Sequence, residues 1–336
     1  MVGAGEEPQS PDGIAMRLVA ALLISALCLP AAHGVAQDYP TKPITMIVPF
    51  PPGGGNDTLA RLVANKLSVA LGQQVVVDNR GGANGVIAMR AAARAAPDGY
   101  TLLFANSSTT SINPALYANV GYDARKDFAP IGMLASMSIG IITHPSFPAK
   151  SVAELIAFAK REPRKLNIGT SAPGSGSHLS TELFKARAGI DVTLVPYKGT
   201  AAMTTDVLGG HIPVIFSVVA AALGNIRSGQ LRLLAMTGTT RVATLADVPT
   251  VAESGLPGFE AVLRYGLLAP AGTPRPVIER LSRELRTLVG SEEVKARIAH
   301  EAGSPLTSTP EEYAAEIVRE DAIWGPLIRK LDIKVE

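Results

Sequence analysis

From Ile44 to the C-terminus, short runs of β-branched and apolar residues alternate with segments of helical periodicity. That alternation predicts an α/β fold with largely parallel sheets. Strands are expected at Ile44–Val48, Gln74–Asp78, Thr101–Ala105, Leu166–Gly169, Val192–Val195, Ile212–Phe216, Leu231–Met236 and Tyr265–Ala269. A longer apolar stretch, Ile131–Thr143, is expected to contain strand. Helices follow most strands, and the chain ends in three of them, Pro276–Leu288, Glu292–Ala302 and Pro310–Leu331. The strand–helix pattern starts afresh near residue 140 and returns near 264. This predicts a first lobe from 37–139 plus 264–336 and a second from 140–263. Two connecting segments would form a hinge, with a cleft between the lobes.

The N-terminus follows another logic. Met16-Arg17 precedes the apolar run Leu18–Leu29, and small residues extend from Ala31 to Ala36. A positive residue, about a dozen apolar residues and a small-residue end predict a secretory signal peptide over 1–36. The run is shorter than the roughly 20 apolar residues of a spanning helix. Cleavage is expected after Ala36, with Gly34 as the alternative, and Met16 is an alternative start. The one cysteine, Cys28, lies in the apolar run. The exported chain would then carry no disulfide, thiol nucleophile or cysteine metal site. Leu27 is too large for the residue before a lipidated cysteine. The chain is expected in the periplasm.

Composition narrows the partners. A net charge of +2 without a basic block, and 5% aromatic residues, give no case for nucleic acid. The five histidines are scattered, so neither a metal nor any other cofactor is expected.

Ligands of open α/β sheets sit outside the carboxyl ends of the strands. Four loops occupy such places: Pro49–Asp57, Asn106–Ser111, Gly169–His178 and Pro196–Thr200. Glycines let backbone approach a ligand, helix N-termini carry about half a positive charge, and Ser and Thr hydroxyls donate hydrogen bonds. Together these suit an anion. In the first loop Asp57 would oppose an anion unless it only caps the helix. None of the loops matches a P-loop or a GxGxxG dinucleotide motif. Each alone is as well explained as an ordinary βα turn; the four together favour a ligand site. Lys198 is read as a solvated lysine slightly before an anion partner, and His178 as a capping or packing residue. No nucleophile–base pattern appears, so no enzyme is expected.

Several segments resemble one family: Tyr39–Ile44, Val48–Gly54, Pro97–Leu102, Ile112–Tyr117, Val195–Gly199, Leu208–Ile212, Asp247–Glu253 and Gly266–Pro274. The chain resembles the Bug-type receptors, the substrate-binding components of tripartite tricarboxylate transporters, from about residue 38 to its end. The resemblance implies a two-lobed, type II-like periplasmic binding protein without catalysis or cofactor, expected as a monomer. It would bind a small carboxylate by closure of its lobes and deliver it to the membrane subunits. A periplasmic sensor docking on a signalling receptor is the alternative. Position by position, the resemblance implies ligand contacts at Phe50, Pro52, Gly54, Asp57, Ser107, Thr109, Thr170, Ser175, Ser177, Tyr197 and Gly199. Two positions depart from it. Ser217 stands where the family often has Asp, and Arg264 where it often has Trp. The exchange suggests Arg264 as a further ligand contact and a more anionic ligand.

Overall fold

The computed structural model describes residues 39–52, 55–171 and 173–333. The expected signal peptide and Gly54 lie outside them. The elements, in chain order, are β1 (Ile44–Val48), α1 (Gly55–Leu71), β2 (Val75–Asn79), α2 (Val86–Ala93), β3 (Thr101–Asn106), α3 (Asn113–Leu116), β4 (Phe128–Thr143), α4 (Val152–Arg161), β5 (Asn167–Thr170) and α5 (Gly176–Ala188). They continue with β6 (Thr193–Pro196), α6 (Thr200–Leu208), β7 (Val214–Val218), α7 (Leu223–Arg227), β8 (Arg232–Met236), β9 (Val262–Pro270), α8 (Arg275–Gly290), α9 (Glu292–His300), β10 (Gly303–Pro305) and α10 (Pro310–Lys330).

The strands run in the order β2-β1-β3-β9-β4-β7-β5-β6, and β8 and β10 also pair with β4. β1 pairs in parallel with β2 and β3, and β5 with β6 and β7, as βα units require. Antiparallel partners join the two parallel sets. The sixteen residues of β4 span about 50 Å when extended. Phe128–Ser138 pair with β9, and Ile139–Thr143 with β7. One strand therefore serves both halves, and its change of partner falls at Ser138/Ile139, next to the restart expected near 140. Register shifts at Pro130/Gly132 and Met133/Ala135 bend it.

The return crossing lies beside the first. Fully buried Thr237 follows β8. Its N–H donates to the Ile139 carbonyl at 2.9 Å. Its Oγ1 accepts from Ile139 N at 2.9 Å and donates to the Ala261 carbonyl at 2.6 Å. Ala261 N donates back to the Thr237 carbonyl at 2.9 Å. Outgoing and returning strands are thus pinned together where they pass between the halves.

α10 makes a third connection, which the sequence did not suggest. Thr309 and Glu312 form a capping box at its start, with Pro310 in the first turn. Its first turns bury Tyr313 and Ile317 with Ile47, Met89 and Leu268 in the first core. Its last turns bury Trp324, Leu327 and Ile328 with Leu155, Phe184 and Phe259 in the second. Ile112 and Leu116 also join that second core.

Candidate functional site

A cavity of roughly 850 Å³ lies between the two halves, within the ~300–1,000 Å³ usual for small-molecule sites. The first half contributes Phe50, Asn56, Leu59, Asn84, Asn106 and Ser108. The second contributes Ser171, Ser175, Gly176 and Ser177 from one loop, and Thr200, Ala201 and Thr204 from another. Met137, Ile139, Leu263 and Tyr265 of the crossing strands form an apolar wall with Val218, Ala220 and Ala221. Glu301 completes the lining, which among the described residues includes no lysine, arginine or histidine.

Three helix N-termini meet here. Asn56 and Leu59 lie in the first turns of α1, Gly176 and Ser177 open α5, and Thr200 and Ala201 open α6. Each start leaves N–H groups without intrahelical partners and carries partial positive charge. The first turns of α5 and α6 hold no acidic residue, whereas that of α1 holds Asp57. Asp57 is buried and already engaged. It accepts from Arg61 Nε at 3.0 Å and from Asn79 Nδ2 at 2.9 Å. Asn79 Nδ2 also donates to the Phe50 carbonyl at 3.0 Å, so this group braces the Phe50 loop instead of facing the cavity.

The α5 loop is built tightly. Ser175 caps the helix by accepting from His178 N at 3.2 Å, and Ser171 Oγ donates to Ser175 Oγ at 2.8 Å. Ser177 Oγ donates to the Phe216 carbonyl. Gly174 N donates to His178 Nδ1 at 3.0 Å. Burial holds the His178 pKa below that of an ordinary imidazole, which keeps Nδ1 free to accept. Gly174 has φ +74°, and a Cβ there would meet Leu116 Cδ1 at 2.5 Å. His178 thus fixes the loop and does not touch the cavity.

Of the described residues expected to contact a ligand, Phe50, Ser175 and Ser177 line the cavity, and the others do not. Pro52 is exposed, and Gly199 precedes α6 at φ 109° with Thr200 taking the lining place. Ser107 and Thr109 are buried in the turn after β3, where Thr109 Oγ1 donates to the Asn106 carbonyl at 2.9 Å and Ser108 faces the cavity. Thr170 is buried at the end of β5. Tyr197 OH donates to Asp206 Oδ2 at 2.8 Å, and Lys198 is exposed. Ser217 is buried, its Oγ donating to the Val218 carbonyl at 3.3 Å.

Arg264 requires a correction. Leu263 and Tyr265 line the cavity, so strand alternation sends Arg264 to the other face of β9. There it meets Glu260, Glu316 at 3.0 Å and Glu320 at 3.2 Å. Its charge is spent on carboxylates of the chain, which removes the argument it gave for a more anionic ligand.

Asn84 was missed. The loop after β2 reads as a Gly-rich turn, yet Ala83 and Asn84 both adopt positive φ, 45° and 51°. Such strain concentrates at functional sites. Treating the loop after β2 like those after its neighbours would have found it. The apolar wall comes from crossing strands, which no local motif marks. Among the described residues there is no group of three or more His, Cys, Asp or Glu side chains able to hold a metal. No helix among them is long and apolar enough to cross a membrane.

Two α/β halves joined by crossing strands, with a cavity of polar turns and an apolar wall between them, define the class of two-lobed solute-binding proteins. The chain belongs to the TctC family, the tripartite tricarboxylate transporter family receptors, whose sequence model matches residues 59–333. It is 38% identical over 307 residues to Protein BugT of Bordetella pertussis, covering 91% of this chain and 94% of that one. Among solved structures it resembles R. palustris Rpa4515 with adipate, at TM-score 0.79 and 35% identity over 89% of this chain and 100% of the other. It also resembles MatC from Rhodopseudomonas palustris with bound malate, at TM-score 0.73 and 29% identity over 86% and 100%. The family is one of periplasmic solute-binding receptors, not of enzymes.

Proposed function

We propose that the protein is exported by cleavage of its first 36 residues and captures a small carboxylate between its lobes. It then hands the ligand to the membrane subunits of a tripartite transporter. One observation carries this reading: three helix N-termini and the hydroxyls of Ser108, Ser175 and Thr200 converge on one cavity whose described lining holds no cationic side chain. Peptide N–H groups and hydroxyls donate to carboxylate oxygens without a buried cation, whose desolvation is costly. The apolar wall suits a carbon skeleton. Adipate in Rpa4515 and malate in MatC support a carboxylate of this size. Lobe closure follows from the two-sided lining, because a ligand touching both halves stabilises the closed state by its differential affinity.

Lobes of 37–139 plus 264–336 and of 140–263 serve this reading, with α10 bridging them. The test is a thermal-shift screen of the protein purified from the periplasm against mono-, di- and tricarboxylates. A ligand at about a hundred times its Kd adds about 2.7 kcal/mol of stability. No shift with any carboxylate, or an equal shift with uncharged amides, would overturn the reading.

A further inference from the structure

We propose that Glu320 is a positioning residue for the cleft. From α10 it ties the turn after β3 to the Arg264 stretch of β9, the two segments that present Ser108, Leu263 and Tyr265 to the cavity.

Its side chain is 4% exposed. Oε1 accepts from Ser107 Oγ at 2.7 Å and from Arg264 Nη1 at 3.2 Å, and Oε2 accepts from Ser111 Oγ at 3.4 Å. Ser107 Oγ in turn accepts from the backbone N–H of Arg264 at 2.8 Å. Carboxylate, hydroxyl, peptide and guanidinium form a closed circuit through a helix, a turn and a strand. Ser108 follows Ser107 directly, and Leu263 and Tyr265 flank Arg264. A shift in the circuit is therefore transmitted to three lining residues within one peptide unit of it.

The charges around Glu320 are unequal. Arg264 and Glu260 face it from β9 and the segment before it, and Glu316, Arg319, Asp321 and Tyr313 share its helix. Arg125 and Asp123, ahead of β4, act on Asp321. Glu260, Glu316 and Glu320 share two guanidinium groups, those of Arg264 and Arg319. Burial above all, with Glu316 adding to it, pushes the Glu320 pKa up to about 7, against the pull of Ser107 and Arg264. The ionised form accepts from all three groups touching the carboxyl, whereas protonation turns one of its oxygens into a donor. The form that holds the cleft is thus the one that burial penalises. A raised carboxyl pKa gives stability that is present below the unfolded value of 4.5 and lost as pH rises through about 7.

That opposition separates positioning from a merely structural role. In Glu320→Gln, melting at about pH 8 is expected to hold or rise. Hydrogen–deuterium exchange of the ligand-free protein is expected to quicken several-fold in peptides covering 106–112 and 262–266. The binding arm rests on the proposed function and uses adipate as probe. Its affinity is expected to fall about tenfold in the variant, the scale of one lost charged hydrogen bond. On acidification below about pH 7, wild-type affinity is expected to weaken more steeply than the variant's. If Glu320→Gln does not fold, Ser107→Ala, which removes one hydroxyl from the circuit, is read by the same exchange and affinity changes. Unchanged exchange in both peptides of a folded variant overturns the proposal. Failure of wild-type protein to bind adipate or any other carboxylate counts against the receptor reading, while the exchange arm still decides the role of Glu320.

Discussion

Asn84 and Asn113 hydrogen-bond to one another in both directions: Asn84 Nδ2 donates to Asn113 Oδ1 at 2.8 Å, and Asn113 Nδ2 donates to the Asn84 carbonyl at 2.9 Å. Asn113 is completely buried at the start of α3, whereas Asn84 reaches the cavity from a left-handed turn. The buried amide supplies the contacts that keep the strained one in place. Asn113→Ala is expected to destabilise the protein by about 1–3 kcal/mol, because the Asn84 groups lose their partner. Ligand affinity should fall with it. Urea unfolding and calorimetry check the two effects, and an unchanged midpoint would show that the turn holds itself.

Thr237 offers a test of the crossing. Thr237→Val keeps the shape but removes the hydroxyl shared by Ile139 N and the Ala261 carbonyl. Each is then buried without that partner, at an expected cost of about 1–3 kcal/mol. Exchange of the Ile139 amide should quicken more than that of amides in β1 or β6. Uniform loss of protection would place the weakness elsewhere.

His178 predicts an acid limb. Its folded pKa lies below the ordinary 6.5 because of burial, so its contribution is fully present above 6.5 and is lost as pH falls through the folded value. Protonation there takes Nδ1 away from Gly174 N, releasing the loop that carries Ser175. Melting temperature followed from neutral pH downward should show a decline that His178→Gln flattens. A parallel decline in both proteins would assign the limb to other groups.

Ser175 joins two tasks, capping α5 and lining the cavity. Ser175→Ala should cost about 1 kcal/mol through the lost cap. Ser175→Gly should cost only a few tenths, since glycine is tolerated at that position. If both variants lose carboxylate affinity equally, the hydroxyl acts on the ligand. If only the alanine variant does, it acts through the helix.

Much of the architecture was legible because burial in an α/β sheet writes itself as apolar runs. β1 was read residue for residue, and most other strands lie within a few residues of their expected bounds. β9 was cut short, expected from Tyr265 but observed from Val262, because Arg264 breaks the apolar run although its partners lie on the covered face. β10 was not expected in the gap between the helices ending at Ala302 and starting at Pro310: three residues carry too little pattern, and its pairing depends wholly on β4. The site was legible as loops more than as residues. Three of the four loops taken for ligand carriers reach the cavity through residues such as Asn56, Ser108 and Ser171, and the fourth reaches it through Thr200. Which side chain of a turn faces inward depends on backbone angles that composition does not encode. Ser107 and Ser108 are chemically equal in sequence and point to opposite duties.

That the described lining of the cavity holds no cation has an evolutionary consequence. Donors supplied by peptide groups persist whatever side chains mutation installs nearby. Substitutions along Met137, Ile139, Val218 and Leu263 can therefore remodel the space for the carbon skeleton while the proposed grip on negative oxygen survives. A receptor organised this way can change its diet without re-inventing its hold.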